Sequence, residues 1–314
     1  MSAPKFFRKM AILAVIEATV GTLAVVTAAN AIEVSDVTLT PIEGDEADQG
    51  VIRPYFGASE TALVTLYRKI AFSVGFAGVA VPGNLPGWST LMRACAASVT
   101  NTPAPGPGAG TVFAPVTDGI ESVSIYATVD GMLYKMAGAR ANVKAQVDAK
   151  QIPKWQYEFT GSFLPVVDVG AMPAVNYSKF LRPLGVNKLN TSLVLDGFAA
   201  ACNSFAFDFG NQVVKQDLMN VDTTEITGRA STGSVTFRNT SVATKNWIEM
   251  ARTSAKVPLL LKHGQAATNT VSIAAPLAQI GKPTFGEQDG IQMITVPLRF
   301  IPSDAGNDEW SITV

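Results

Sequence analysis

Ser204-Phe-Ala-Phe-Asp-Phe209 sets Phe205, Phe207 and Phe209 at alternate positions, which places all three rings on one face of a strand. Three phenylalanines on one face need a covering layer, so the stretch predicts a packed sheet. Working outward, a polar loop over Asn211 to Asp222 comes next, then a strand, Gly233-Ser-Val-Thr-Phe-Arg238. A short helix follows over Val242 to Thr253, with Trp247, Met250 and Ala251 in line, and paired strands end at Thr295-Val-Pro-Leu-Arg-Phe300. The same plan stands upstream: strand Asp36-Val-Thr-Leu-Thr-Pro41, an acidic loop, strand Lys69-Ile-Ala-Phe-Ser-Val74, a Trp-bearing helix over Trp88 to Ala97, and a closing strand Trp155-Gln-Tyr-Glu-Phe159. Phe72 and Phe237 are 165 positions apart and Trp88 and Trp247 are 159 apart, a repeat of domain size. Phe159 and Phe300 are 141 apart, and the Pro/Gly stretch Asn101 to Gly110, read as a flexible loop, accounts for much of the difference.

These readings predict a mainly β chain of two tandem β-sandwich or partly closed barrel domains, each with one flanking α-helix. The divisions are an N-terminal arm (1–31), a first domain (32–165, holding the loop 101–110), a Pro/Gly-rich linker (166–190) and a second domain (191–314). Trp88, Leu91, Met92, Cys95 and Val99 form one helical stripe, which reads as core. The predicted core comprises Trp88, Leu91, Met92, Cys95, Trp155, Phe205, Phe207, Phe209, Trp247 and Met250. Asp130-Gly131 and Asp289-Gly290 are the tight-turn signals of two hairpins.

Charged residues are 16% of the 314, well under the quarter or so of an ordinary soluble domain, and mean hydropathy is positive. Burial of surface between subunits resolves that shortage. A net charge of −1 excludes a basic nucleic-acid binder. Two cysteines, Cys95 and Cys202, do not make a disulfide scaffold and fit a reduced assembly compartment.

The first 31 residues imitate a secretory signal: Lys5, Arg8 and Lys9, then apolar Met10 to Ile16, then Ala29-Asn-Ala31. Glu17 cuts the apolar run short, and no stretch reaches the length of a membrane span. An arm packed on a neighbouring subunit is therefore preferred over a signal peptide. The segment Glu43-Gly-Asp-Glu-Ala-Asp-Gln-Gly50 is either a solvated hairpin tip or a loop reaching an adjacent ring.

Catalytic signatures are missing from the sequence. The one histidine, His263, sits in a predicted hairpin turn, is expected to be exposed, and has no partners at metal-ligand spacing. Neither a G-x-S-x-G elbow nor a phosphate-binding glycine motif occurs, and Pro105 and Pro107 lack the N–H groups a phosphate cradle needs. The reading is of a non-enzyme without metal or cofactor.

Several stretches in order resemble the major tail tube proteins of long-tailed, non-contractile bacteriophages: Ile16-Glu-Ala-Thr-Val-Gly-Thr22, Val34 to Asp45, Arg53-Pro-Tyr-Phe-Gly-Ala58, Ile120-Glu-Ser-Val-Ser-Ile-Tyr126, Ile152 to Gly161, and Asp289 to Phe300 with Ala305-Gly-Asn-Asp-Glu309. The resemblance implies β-sandwich domains with a flanking helix, six to a ring, stacked into a tube that carries DNA. Three chains per ring with pseudo-sixfold symmetry follow from the duplication, and six chains per ring is the competing arrangement. Expected partners are further copies of the chain, the tape-measure protein, tail terminator and tip proteins, and DNA passing without specific binding. No membrane is expected, and the location is the virion tail, assembled in the host cytoplasm. Glu43, Asp45, Glu46, Asp48, Arg53, Tyr55 and Phe56 are the candidate inter-ring contacts, and carboxylates are expected to outnumber basic groups along the bore. An exported surface or adhesion β-protein, and a tube protein of a contractile tail or secretion machine, are the alternatives.

Overall fold

The computed structural model describes residues 4–104, 108–265 and 268–314, so Pro105 to Pro107 of the Pro/Gly stretch and the first three residues of the expected arm lie outside the described residues. The chain is mainly β, with large antiparallel sheets and two short α-helices among the described residues, Ser89–Arg93 and Trp247–Arg252.

Eight antiparallel strands form one continuous path. Ser35–Glu43 pairs with Tyr67–Gly75, which pairs with Lys154–Phe163, which pairs with the 17-residue strand Met132–Asp148. The C-terminal part of that long strand pairs with Cys202–Asp208 across five residues, from Lys144↔Asp208 to Asp148↔Ser204. The path continues through Thr232–Arg238 and Ile291–Phe300 to Thr284–Gln288. Its first and last strands pair on one side only among the described residues. Both Asp-Gly hairpin turns form as expected, with positive φ at Asp130, Gly131, Asp289 and Gly290.

Alternation sorts the two faces of this path. Phe72, Tyr157, Val143, Phe205, Phe207, Val235 and Val296 point inward and are buried. A second set of strands covers them, including Met10–Ile16, Val123–Val129, Lys256–His263 and Val271–Ile280. The C-terminal strand Ser311–Thr313 pairs with both Val271–Ile280 and Gly110–Pro115, so it bridges the two halves of the chain. Trp88 packs on Trp155 and Phe113 in one half, and Trp310 on Phe207 and Phe209 in the other. Each such ring contributes roughly 1.5–3 kcal/mol by burial. Nine of the ten predicted core residues are buried, while Met250 is half-buried and packs on the core from outside.

Both helices are shorter than the apolar spacing suggests. Ala96 takes a φ of +57°, the chain turns into strand Ala97–Thr102, and Val99 is a strand residue. That strand pairs with Gly110–Pro115, so Asn101, Thr102 and Gly110 belong to a hairpin rather than to a flexible loop. An apolar residue at i+11 suits a following strand as well as a continued helix. The second helix begins after Asn246, whose side chain accepts from the Glu249 N–H at 3.0 Å as its N-cap.

The N-terminal segment departs furthest from expectation. Met10–Ile16 is not an arm on a neighbour but a strand of this chain's own sheet, in seven-residue register with Val123–Val129. Ile12 and Leu13 are buried there. Glu17, read as a break in an apolar run, is itself buried. Its carboxylate accepts from the hydroxyls of Ser122 and Ser124 (2.7 Å each) and from the N–H groups of Gly21 and Gly138 (2.8 Å each), four donors that offset its desolvation. The expected linker 166–190 also docks: Val167–Asp168 pairs with Met132–Leu133, and Val186 accepts from the Lys150 N–H.

Candidate assembly surface

Two excursions leave the eight-strand path. Residues 44–66 connect Glu43 to Tyr67, which pair with each other, and residues 209–231 connect Asp208 to Thr232, which also pair. Adding 165 to 43 and 67 gives 208 and 232. Toward the tips the registers agree: Asp48↔Thr61 corresponds to Val213↔Ile226, and the Gln49 N–H to Glu60 carbonyl bond stands where Val214 pairs with Glu225. Nearer the root they differ by one residue, because the second hairpin carries a bulge between Gln212 and Val213. A glycine pinches each root. A Cβ at Gly44 would lie 1.8 Å from the Thr65 carbonyl oxygen, and one at Gly210 would lie 2.1 Å from that of Ala230. Thr65 and Ala230 are again 165 apart.

Their surroundings differ. The second hairpin, built on Asn211–Leu218 and Val221–Arg229, lies across the long strand and Lys154–Phe163. Arg140 donates to the Thr224 carbonyl at 2.6 Å and forms an ion pair with Glu225. Ser162 Oγ donates to Asp222 (3.0 Å) and accepts from Lys215 (2.9 Å). Burial lowers the Lys215 ammonium below the ordinary lysine value. The first hairpin, Glu46–Asp48 with Thr61–Leu63, pairs with no other strand among the described residues. Glu46, Asp48, Val51, Ile52, Arg53, Tyr55, Phe56 and Glu60 are all exposed, Phe56 fully.

The predicted contact residues therefore divide. Asp45, Glu46, Asp48, Arg53, Tyr55 and Phe56 share the free hairpin. Glu43 stays at its root, 2.9 Å from Lys69 Nζ, and this contact raises the Lys69 pKa.

The free edges show a second unfinished surface. Phe285 pairs with buried Ile294, so it points to the core side of edge strand Thr284–Gln288, yet it is 54% exposed. At the internal junction the equivalent strand is covered by Phe205 and Phe207. An edge strand with an inward-pointing apolar residue left open invites a further strand. The outward face of the path is polar, with Thr38, Ser73, Gln156, Gln146, Ala206, Ser234 and Thr295 among its residues. Its lysines are matched: Lys144 with Asp208 (3.1 Å) and Lys154 with Asp36 (2.6 Å), the latter holding the Asp36 carboxyl below its usual range. Glu158, Arg238 and Arg299 share this face by the same alternation and form no ion pair among the described residues.

His263 is not exposed. It ends strand Lys256–His263, is 1% exposed, lies edge-on to Phe76, and its Nδ1 is 2.8 Å from Thr191 Oγ1. Burial pushes its pKa below the ordinary imidazole value. Cys95 is buried, and burial raises the Cys202 thiol to about 12, so neither is an activated nucleophile. Among the described residues no group of three or more His, Cys, Asp or Glu is placed to hold a metal ion. Sequence reading passed over Glu60, Arg140, Glu225, Lys282, Phe285 and Arg299. The 165-residue offset of Phe72 and Phe237, which also carries Glu60 to Glu225, was the signal that could have found the first of them. No family model matches the chain and no curated protein matches it.

Proposed function

We propose that this chain is a structural subunit that polymerises edge to edge, two tandem tail-tube-like β-domains per chain, into rings that stack as the tube of a long-tailed bacteriophage. One observation carries the reading: strands 35–43, 67–75, 154–163 and 132–148 meet strands 202–208, 232–238, 291–300 and 284–288 edge to edge, in the same order within each half, and leave the same two kinds of edge open at the ends. The last edge, Thr284–Gln288, corresponds to the long strand, and the first, Ser35–Glu43, corresponds to Cys202–Asp208. Pairing those two edges between chains repeats the internal junction and removes both unpaired edges.

Three chains then give a pseudo-sixfold ring, with six chains as the competing closure. The polar outward face lines the bore. Lys144 and Lys154 on it are matched by carboxylates, which weakens their pull on phosphate and favours DNA that slides without being held. Tape-measure, terminator and tip proteins complete the tail, assembly takes place in the host cytoplasm, and the role is not enzymatic. The low charge content and the exposed tip residues Arg53, Tyr55 and Phe56 support ring-to-ring contact. Export with loss of residues 1–31 fits poorly, because cleavage would remove a buried strand and the Glu17 cradle. The test is sedimentation velocity with negative-stain imaging of purified protein across a concentration series. Annular or tubular particles are expected, and a chain that stays monomeric at all concentrations and beside tail-initiator components overturns the reading.

A further inference from the structure

We propose that the free hairpin, residues 44–66, is a lateral clamp for a second copy of this chain, with Glu60 pairing to Lys282 in the groove lined by Gly281, Lys282, Pro297 and Arg299. The inference rests on the edge-to-edge reading above and names the contact that secures it.

The chain carries the template for this contact within itself. At the internal junction, strand Cys202–Asp208 pairs with the long strand, and the hairpin that follows crosses back over it and its neighbour. Its Glu225 meets Arg140, and its Asp222 meets Ser162. At the open end, strand Ser35–Glu43 would pair with Thr284–Gln288 of the next copy. The hairpin that follows would then cross that copy's strand Ile291–Phe300. The receiving positions can be counted. Phe72 pairs with Tyr157 and Phe237 with Ile294. Three residues further on stand Thr160 and Pro297, and five further on stand Ser162 and Arg299. Arg140 pairs with Thr160 and, two positions on, Asn142 with Glu158. Thr284 pairs with Thr295, the counterpart of Glu158, and two positions back from Thr284 stands Lys282. Lys282 is therefore at the place of Arg140, and Glu60 is at the place of Glu225.

Charge agrees with position. The hairpin bears Asp45, Glu46, Asp48 and Glu60 against Arg53. The groove bears Lys282 and Arg299, neither of which is in an ion pair among the described residues. The docked hairpin still exposes Leu218 and Met219 at its tip. By the same geometry Tyr55 and Phe56 remain outside the lateral contact, free for the adjoining ring. The acidic base of the hairpin thus serves the neighbour within the ring and its apolar tip the next ring.

A charge swap tests the clamp, read by sedimentation velocity as the concentration for half-assembly. Glu60→Lys and Lys282→Glu should each raise it about tenfold or more, and the double variant should return to within about threefold of wild type. Both positions are exposed, so the monomers fold. In parallel, the Glu60→Cys, Lys282→Cys double variant should give chain-to-chain disulfides on oxidation, which neither single variant gives. Wild-type assembly with unaffected single variants and no inter-chain disulfide overturns the clamp and leaves edge pairing standing. A wild-type chain that never assembles overturns both.

Discussion

Two hairpins of equal length, each pinched at its root by a glycine, leave one sheet, yet one is pinned by a buried arginine and the other stands in solvent. Internal pairing alone does not set the difference, since each hairpin pairs its own two strands, over three residue pairs in the first and eight in the second. What differs is whether a neighbouring module lies underneath. The second hairpin finds strands 132–148 and 154–163 of its own chain, while the first has reached the end of the chain's own sheet. The same contrast separates the internal junction, where Ala145 faces Phe207, from the outer edge, where Phe285 is open. An exposed element that duplicates a docked one is half of a contact.

The contrast can be broken at its strongest point first. Phe207→Ala removes a ring packed on Phe209, Phe300 and Trp310 at the closed junction and should cost about 3–5 kcal/mol in urea denaturation. Phe285→Ala at the open edge should cost the isolated monomer under about 1 kcal/mol while impairing assembly. Equal losses would show that the edge is already covered.

Removing the pin comes next. Arg140→Met leaves Glu225 and the carbonyls of Thr224 and Ile120 without their donor, and should destabilise the fold by roughly 3 kcal/mol. Lys282→Met, at the corresponding empty place, should shift monomer stability by less than about 0.5 kcal/mol. Amide exchange sharpens the comparison without mutation. In monomer, backbone amides of 44–66 should exchange far faster than those of 209–231, and assembly should bring the two rates together. A gap that persists in assembled particles would place the first hairpin outside every contact.

The smallest expected effect is a pH dependence. His263 is buried neutral with its pKa depressed by desolvation, so the unfolded chain binds the proton more readily. Its contribution is fully present above about pH 6.5, the ordinary imidazole value, and is lost as pH falls from there toward the depressed native value. Melting temperature should decline between pH 7 and 5, and His263→Phe, if it folds, should flatten that decline. An unchanged slope would place the acid sensitivity elsewhere.

Much of this was legible in the sequence for physical reasons. Alternation at Phe205, Phe207 and Phe209 reports a one-sided strand because side chains on a strand have period two. Asp130-Gly131 and Asp289-Gly290 report tight turns because both residues tolerate positive φ. The order of strands, the Trp-bearing helices and nearly all of the core follow from such local rules. Local rules failed where two structures satisfy one pattern. Val99 fits a helical stripe and a strand equally, and Met10 to Ile16 is apolar enough for a signal, an arm or a central strand. His263 looked like a turn residue because nothing near it in sequence announces Phe76 or Thr191.

The sequence by itself determined the mainly β class, the one-sided strands and tight turns, and a recurrence of domain size, since periodicity and turn chemistry act over a few residues. Only the tertiary structure decided that Glu17 is a buried anchor, that Lys144 to Asp148 receives Ser204 to Asp208, and that one hairpin is docked while its counterpart is free. Those outcomes depend on which strands become neighbours across a hundred residues of chain, and that choice is made by burial of the whole core rather than by any local pattern.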